Sequence, residues 1–330
     1  MATRADVAKR AGVSPSTVSY VLNGQRPTSA QTQARVRKAI DELGYVPHRW
    51  AGNLAARSLR TIGLHFGVGE HGIDQIAGEY IAGMRDRAAE HGIMLTIPVV
   101  AHDDPETFRA YLRSKMVDAL IMMEVADNDW REGVVEEEQI PSVFLGSPGT
   151  DRVPFVESDF MDIGRRGVEY AHQRGHQRCI VVVRCEHRSD FARITDVIIR
   201  GIGEAQVRTG VDVSLLRLPS SPVSAFPILD QLSHYDRHTV VMGDNAEALT
   251  TLVSISPRSG LHVGRDYSLI TFGARYPIDS ADFSFTTECG TDRYQMGRTC
   301  VDKVLALFNG EGDISSVYFP AQIIDGGTVI

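Results

Sequence analysis

The first 24 residues carry the local signals that most narrowly restrict how this chain can fold. Thr3 and Asp6 stand at the spacing of a capping box, and Gly12 supplies the left-handed residue that ends a short helix. Ser14 and Pro15 follow, and they can begin a second helix because serine caps a helix and proline fits its first turn. The stretch therefore predicts two short helices joined by a tight turn.

A third helix is predicted directly after this pair. Ser29 can cap it and Gly44 can end it. Its apolar stripe consists of Val36, Ile40 and Leu43. Two helices with a tight turn, followed by a third, have the shape that enters the major groove of DNA. A small helical hairpin without a ligand remains the alternative, since helix-turn-helix patterns alone are common.

The charge of the chain is divided unevenly along its length. Residues 1–60 hold ten Lys or Arg against three Asp or Glu, a net charge of +7. The remaining 270 residues hold 24 basic and 39 acidic residues, a net charge of −15. A basic segment attached to an acidic body attracts phosphate while the body is kept away from it. A solvated basic tail would have the same charge, but it would lack the caps and the apolar stripe.

The N-terminal segment closely resembles the LacI/GalR family of bacterial transcription regulators. The matching residues are Asp6-Val7-Ala8, Ala11-Gly12-Val13-Ser14, Thr17-Val18-Ser19, Val21-Leu22-Asn23, Leu43-Gly44-Tyr45, Pro47 and Leu54-Ala55. The similarity is dense over residues 3–60 and looser, with the same order of elements, to the C-terminus. It implies a helix-turn-helix DNA-binding domain at 1–47, a hinge at 48–60 and an effector-binding and dimerisation core at 61–330.

The resemblance implies three kinds of contact with DNA. Bases would be read by Pro15, Ser16, Ser19 and Tyr20, which face outward on the second helix. Phosphates would be held by Arg4, Thr17, Asn23 and Arg26. In the hinge, Leu54 would wedge into the minor groove beside Ala55. Because Tyr20 stands where many family members carry arginine, we expect a different base preference at that position.

From residue 61 onward, stretches with strand and helix patterns alternate, which is typical of parallel sheets covered by helices. The predicted strands are Thr61–Phe66, Met94–Val100, Ala119–Met123, Ser142–Leu145, Cys179–Val183, Val213–Leu218, Thr239–Met242 and Ser268–Phe272. The fold class is therefore α/β, and the resemblance implies two Rossmann-like lobes of the periplasmic-binding-protein (type I) fold. The first lobe would comprise about 61–156 and 289–314, and the second 157–288 and 315–330.

The effector pocket is where the chain departs from sugar-responsive members of the family. Gly146 and Gly243 stand where the family frequently has Asp and Asn, and Ile198 stands where a ligand-clamping arginine usually lies. Side chains of those types bind hydroxyl groups, so their loss argues against a common hexose. The remaining candidates to line the pocket are His65, Glu124, Phe155, Arg184, Asp244, Phe272, Arg275 and Tyr276.

Signals for other functions are weak. Residues 67–72 spell G-x-G-x-x-G after a strand, but the acidic residue expected about 20 positions later in a dinucleotide site is missing. The four cysteines lie far apart, which indicates reduced thiols rather than disulfides or a zinc site. No apolar run is long enough to span a membrane. We expect no catalytic residues, no cofactor, no metal site and no membrane partner, and a cytoplasmic location.

The sequence therefore predicts a DNA-binding regulator, most often a repressor in this family, that binds a near-palindromic operator as a homodimer. A small-molecule effector would control it, with a carbohydrate as one candidate. Ile330 is expected to end a final strand beyond those given above, and no heptad tail follows it, which favours a dimer over a tetramer. A cytoplasmic sugar-type binding protein with a vestigial DNA-binding head is the alternative. A Rossmann-type oxidoreductase ranks last.

Overall fold

The computed structural model describes residues 3–23, 26–44, 58–66, 75–98, 104–185, 189–234, 238–280, 282–312 and 314–330. The chain divides into two compact units, Met1–Ser58 and Leu59–Ile330. The predicted hinge contacts at Leu54 and Ala55 and the glycine-rich loop at 67–72 lie outside the described residues, and so do the side chains of Arg4, Leu22 and Asn23.

The first unit contains three helices whose ends follow from the local sequence. They are α1 (Arg4–Ala11), α2 (Pro15–Asn23) and α3 (Ala30–Leu43). The capping box is present, because the Thr3 amide donates to Asp6 at 2.8 Å and the Asp6 amide donates to the Thr3 hydroxyl at 3.3 Å. Gly12 and Gly44 end α1 and α3 with φ angles of 64° and 56°. The predicted caps of these helices are confirmed.

A small apolar core holds the three helices together. Val7 of α1, Val18 of α2 and Val36 of α3 are fully buried in one cluster. Residues on α2 that lie between the buried positions are therefore turned outward, since the helix repeats every 3.6 residues. The core fixes which face of α2 is available for a ligand.

The second unit contains two lobes of alternating strands and helices. Its helices are α4 (Gln75–Glu90), α5 (Pro105–Arg113), α6 (Arg131–Glu137), α7 (Phe160–Gln173), α8 (Ser189–Thr209), α9 (Ala225–Leu232), α10 (Ala246–Ile255) and α11 (Arg293–Asn309). Its strands are β1 (Thr61–His65), β2 (Met94–Thr96), β3 (Ala119–Met122), β4 (Ser142–Leu145), β5 (Phe155–Ser158), β6 (Arg178–Arg184), β7 (Asp212–Leu218), β8 (Thr239–Gly243), β9 (Ser268–Phe272), β10 (Thr287–Gly290), β11 (Val317–Phe319) and β12 (Gln322–Ile324). No helix among these residues is long and apolar enough to span a bilayer.

The strands form two six-stranded sheets, one in each lobe. The first has the order β11-β5-β4-β3-β1-β2, and the second has the order β12-β10-β9-β8-β6-β7. All pairs of strands are parallel except β10 with β12. The predicted α/β class with two Rossmann-like lobes is confirmed.

The chain passes between the sheets three times, after β5, after β10 and after β11. The last crossing differs from the prediction, which assigned all of 315–330 to the second lobe. Val317–Phe319 instead pairs with β5 in the first sheet, and only Gln322–Ile324 joins the second. A strand of three residues has too little alternation for its partner to be inferred from the sequence.

Each lobe contains a pair of helices that touch backbone to backbone through glycines. In the second lobe, a Cβ at Gly164 of α7 would overlap the carbonyl oxygen of Ile198, and one at Gly201 of α8 would overlap that of Met161. In the first lobe, Gly83 of α4 and Gly297 of α11 face the carbonyl oxygens of the partner helix in the same way. No side chain larger than hydrogen fits at these crossings.

Two glycines of α8 provide a matched test of this packing. Gly201→Ala should lower the free energy of unfolding by about 1–3 kcal/mol, because the helices must separate to admit the methyl group. Gly203→Ala meets no atom within 4 Å and should raise it by about 0.5–1 kcal/mol through helix propensity. Urea denaturation of both variants measures the difference, and equal midpoints would contradict the close contact.

Candidate functional site

The outward face of α2 carries the four residues predicted to read bases. Pro15 and Ser16 are exposed, and Ser19 and Tyr20 are partly buried. Their spacing places them on neighbouring turns of one helix face. The Ser19 hydroxyl donates to the Pro15 carbonyl at 3.2 Å, so it lies along the helix surface. This face is polar and follows a capped N-terminus.

Of the four residues predicted to hold phosphate, the structure describes the side chains of Thr17 and Arg26. The Arg26 guanidinium lies 5.3 Å from the centre of the Tyr20 ring, so the structure brings a base-reading candidate and a phosphate-binding candidate together. The Thr17 hydroxyl is 2.9 Å from that of Ser14, within the cap of α2. Tyr20 and Arg26 thus form a joint cationic and aromatic surface at the end of this helix.

The second candidate site is the cleft where the carboxyl ends of both sheets meet, the edge at which α/β folds hold ligands. Arg184 is the last residue of β6 and pairs with Asp244, which follows β8. The Arg184 backbone amide donates to one carboxylate oxygen at 3.1 Å, and its Nε donates to the other at 3.4 Å. Burial raises the pKa of Tyr276, and Arg184 opposes this rise. These three predicted pocket residues lie close together.

Two further predicted pocket residues are exposed. Glu124 follows β3 with a φ of 51°, and its carbonyl accepts from Arg131 at 3.0 Å. Arg275 lies over the Phe285 ring at 4.7 Å. Both side chains are held at loops near the strand ends.

Three predicted pocket residues are instead packed in the core. His65 is 2% exposed, with its ring 4.5 Å from that of Phe108. Phe155 belongs to the same cluster as Phe108, and Phe272 packs under Gly167 of α7. A strand buried on both faces has no polar alternation, so the sequence does not show which side chains face the cleft. We do not retain these three as pocket residues.

Gly243 also limits what the cleft can offer. A Cβ at this position would overlap the carbonyl oxygen of Val182 in β6. With a φ of 158° at Gly243, the main chain directs a side chain at residue 243 into the backbone of β6. The asparagine that the family resemblance would place here does not fit this backbone conformation.

Two arginines that the sequence did not single out bridge the lobes. Arg293, at the start of α11, donates to Glu288 of β10 at 2.6 Å and to Glu79 of α4 at 2.6 Å, and also to the Gly273 carbonyl. Burial alone would lower the pKa of Arg293, but Glu288 and Glu79 raise it above the ordinary arginine value. The guanidinium stays charged and joins the first lobe to the second.

The second bridging residue is Arg193 of α8. It donates to Asp127, to the Ser147 carbonyl and to Glu157, all in the first lobe. No sequence motif marks either arginine, because their acceptors are distant in the chain or lie across a crossing. Both guanidinium groups lie where a ligand of the cleft would need polar partners.

Arg293→Met should lower the free energy of unfolding by about 3–5 kcal/mol, because it leaves the fully buried Glu288 without its cation. Arg298→Met is the control on the same helix. Arg298 pairs with Glu90, which is 45% exposed, so its loss should cost much less than the loss of Arg293 because solvent screens the pair. Urea denaturation followed by circular dichroism measures both variants, and equal losses would contradict a buried bridge.

Comparisons with known proteins agree with this architecture. A family model described as bacterial regulatory proteins, lacI family, matches residues 3–48, and one described as periplasmic binding proteins and sugar binding domain of LacI family matches 78–213. The regulator AglR of Rhizobium meliloti (strain 1021) is 33% identical over 207 residues, 60% of this chain and 57% of AglR. The chain thus spans little more than half the length of that relative.

Two other relatives match over nearly the whole chain. The repressor CytR of Escherichia coli (strain K12) is 26% identical over 99% of this chain and 96% of CytR. The crystal structure of the lac repressor dimer bound to operator and the anti-inducer ONPF is 25% identical, with a TM-score of 0.76 over 100% of this chain and 99% of that one. Residues 3–48 thus match a LacI-family helix-turn-helix domain and residues 78–213 a LacI-family periplasmic-binding-protein-like domain, and the relatives that match are helix-turn-helix transcriptional regulators.

Proposed function

We propose that this chain is a transcription repressor that binds a near-palindromic operator as a homodimer in the cytoplasm. The observation that carries the proposal is the outer face of α2, where exposed Pro15 and Ser16 adjoin the Tyr20–Arg26 pair on a capped helix with its own core. Such a face offers hydroxyl and guanidinium groups to bases and phosphates. The +7 charge of residues 1–60 supports the same conclusion.

The relatives support the finer points of the proposal. AglR and CytR are named as helix-turn-helix regulators, and the lac repressor structure is a dimer on operator DNA. A two-fold dimer would present two copies of α2 to successive major grooves. In this proposal Leu54 and Ala55 contact the minor groove between them. These relatives are regulators rather than enzymes, and we propose no catalytic activity.

DNA binding can be tested without knowing the operator. Selection from randomised duplexes should yield a near-palindromic site, and its affinity, measured by fluorescence anisotropy, should fall steeply between 50 and 200 mM salt, by about 10³-fold or more. Tyr20→Ala should relax base preference at one position of each half-site while the salt dependence is unchanged. Selection that returns no shared sequence, or affinity that does not change with salt, would contradict the proposal.

A second pair of variants separates phosphate contact from general charge. Arg26→Ala should reduce the slope of log affinity against log salt by about 2, because each of the two heads of the dimer loses one phosphate contact. Lys38→Ala removes the same charge from α3, where the side chain is 79% exposed beside Glu42, and should leave the slope close to that of the parent. Equal slopes for both variants would show that Arg26 does not contact phosphate.

We further propose that a small molecule controls DNA binding but that it is not a common hexose. In the described part of the cleft, Arg184, Arg193 and Arg293 already have carboxylate partners, and residue 243 cannot carry a side chain. Hydroxyl groups of a sugar would have to displace these ion pairs. Isothermal titration calorimetry with common hexoses should give no binding at micromolar concentration. Tight binding of glucose, galactose or fructose would refute this.

A further inference from the structure

Arg193 makes three hydrogen bonds from the second lobe to the first. Its Nε donates to Asp127 at 2.8 Å, and one terminal nitrogen donates to the Ser147 carbonyl at 3.0 Å and to Glu157 at 3.1 Å. The Glu157 side chain is only 5% exposed, whereas that of Arg193 is 31% exposed. A guanidinium with three donors directed at fixed acceptors forms a geometrically specific contact.

Two of the three acceptor residues, Ser147 and Glu157, are joined to each other independently of Arg193. The Glu157 carboxylate also accepts the backbone amide of Ser147 at 3.0 Å, which ties β5 to the loop after β4. Asp127 lies in the segment between β3 and α6. The first lobe therefore presents a preformed anionic recess at the carboxyl ends of its strands. The guanidinium of Arg193 lies where the fold would place a ligand.

Arg193 differs from Arg293 in what happens if the lobes separate. Glu288 and Arg293 are five residues apart across one crossing, so their ion pair can persist while the lobes rotate about that crossing. Arg193 is 36 to 66 residues from its three acceptors, on an element of the other lobe. All three hydrogen bonds must break when the cleft opens.

We propose that Arg193, Glu157, Asp127 and the Ser147 carbonyl form an internal clasp that holds the two lobes closed in the absence of any ligand. The side chains of the clasp occupy the cleft, and a small molecule binds there only by competing with them. The lobes of this regulator are therefore closed in the ligand-free state, and they open when a small molecule displaces the clasp. This inference concerns the second unit alone and does not depend on DNA binding.

Distances between two spin labels test the clasp in the full-length chain. Cysteines introduced for Met116 in the first lobe and Val207 in the second lie at side chains that are 66% and 87% exposed. Cys185→Ser removes the exposed native thiol, and the remaining cysteines are buried. Without ligand, the parent should give one main distance. Arg193→Met should raise the ratio of open to closed chains about fivefold or more, seen as a second, longer distance.

Three further variants make the outcome decisive. Arg200→Met, on an exposed position of the same helix, should leave the distances unchanged. Asp127→Asn should open the lobes partly, and Asp127 is 40% exposed, so this variant should fold even if Arg193→Met does not. Arg193→Met combined with Asp127→Asn should open them no further than Arg193→Met alone, because both changes remove the same contact.

The clasp is refuted if folded Arg193→Met and Asp127→Asn both keep the parent distances, or if Arg200→Met opens the lobes equally. If Arg193→Met fails to fold, the distances measured in Asp127→Asn alone decide whether the clasp exists. A parent that is already open without ligand would also overturn the inference. Loss of DNA binding with unchanged distances would instead count against the proposed function, so the two failures can be distinguished.

Discussion

The contact on which the second unit depends is the backbone-to-backbone crossing of its paired helices. At Gly164 and Gly201, and again at Gly83 and Gly297, the helices approach until only hydrogen fits between them. Such contacts fix the position of one helix on another more tightly than side-chain packing, which can adjust by changing rotamers. The N-terminal parts of α8 and α11 are thereby fixed relative to each sheet. Arg193 and Arg293 extend from these parts.

The same construction therefore appears once in each lobe. In both, a helix pair crossed at two glycines covers one face of a parallel sheet, and the second helix of the pair sends an arginine to a carboxylate of the other lobe. The two arginines act in different ways, since one spans a crossing and the other spans the open side of the cleft. The structure thus combines a bridge that can survive lobe movement with one that cannot.

Local features of this fold could be predicted from the sequence, whereas long-range ones could not. The caps at Thr3, Gly12 and Gly44 were predictable because each depends on residues within one turn. The strands that carry the crossings, such as Val317–Phe319, were missed as elements because three or four residues show no clear period. Candidate pocket residues such as His65 were misplaced, since strand position alone does not reveal which face a side chain takes.

The bridging arginines were missed for a related reason. Arg193 gains its role only from acceptors 36 to 66 residues away, and arginine in a surface helix is common. The three-helix unit at the N-terminus differs from the cleft, because its candidate DNA-binding face follows from helix caps and buried residues that all lie within the first 44 positions. This is why the DNA-binding end could be described from the sequence in more detail than the cleft.

The close approach at Gly243 has a consequence for substitution at this position. In the present backbone conformation any side chain there would collide with the backbone of β6, so replacing Gly243 by a larger residue would strain the main chain. Accommodating one would require the backbone at residue 243 to leave its φ of 158° within a fully buried strand. A side chain that contacts a ligand from this position would therefore require a change of main-chain torsion and not of residue type alone. New ligands would be acquired through residues on the other strands.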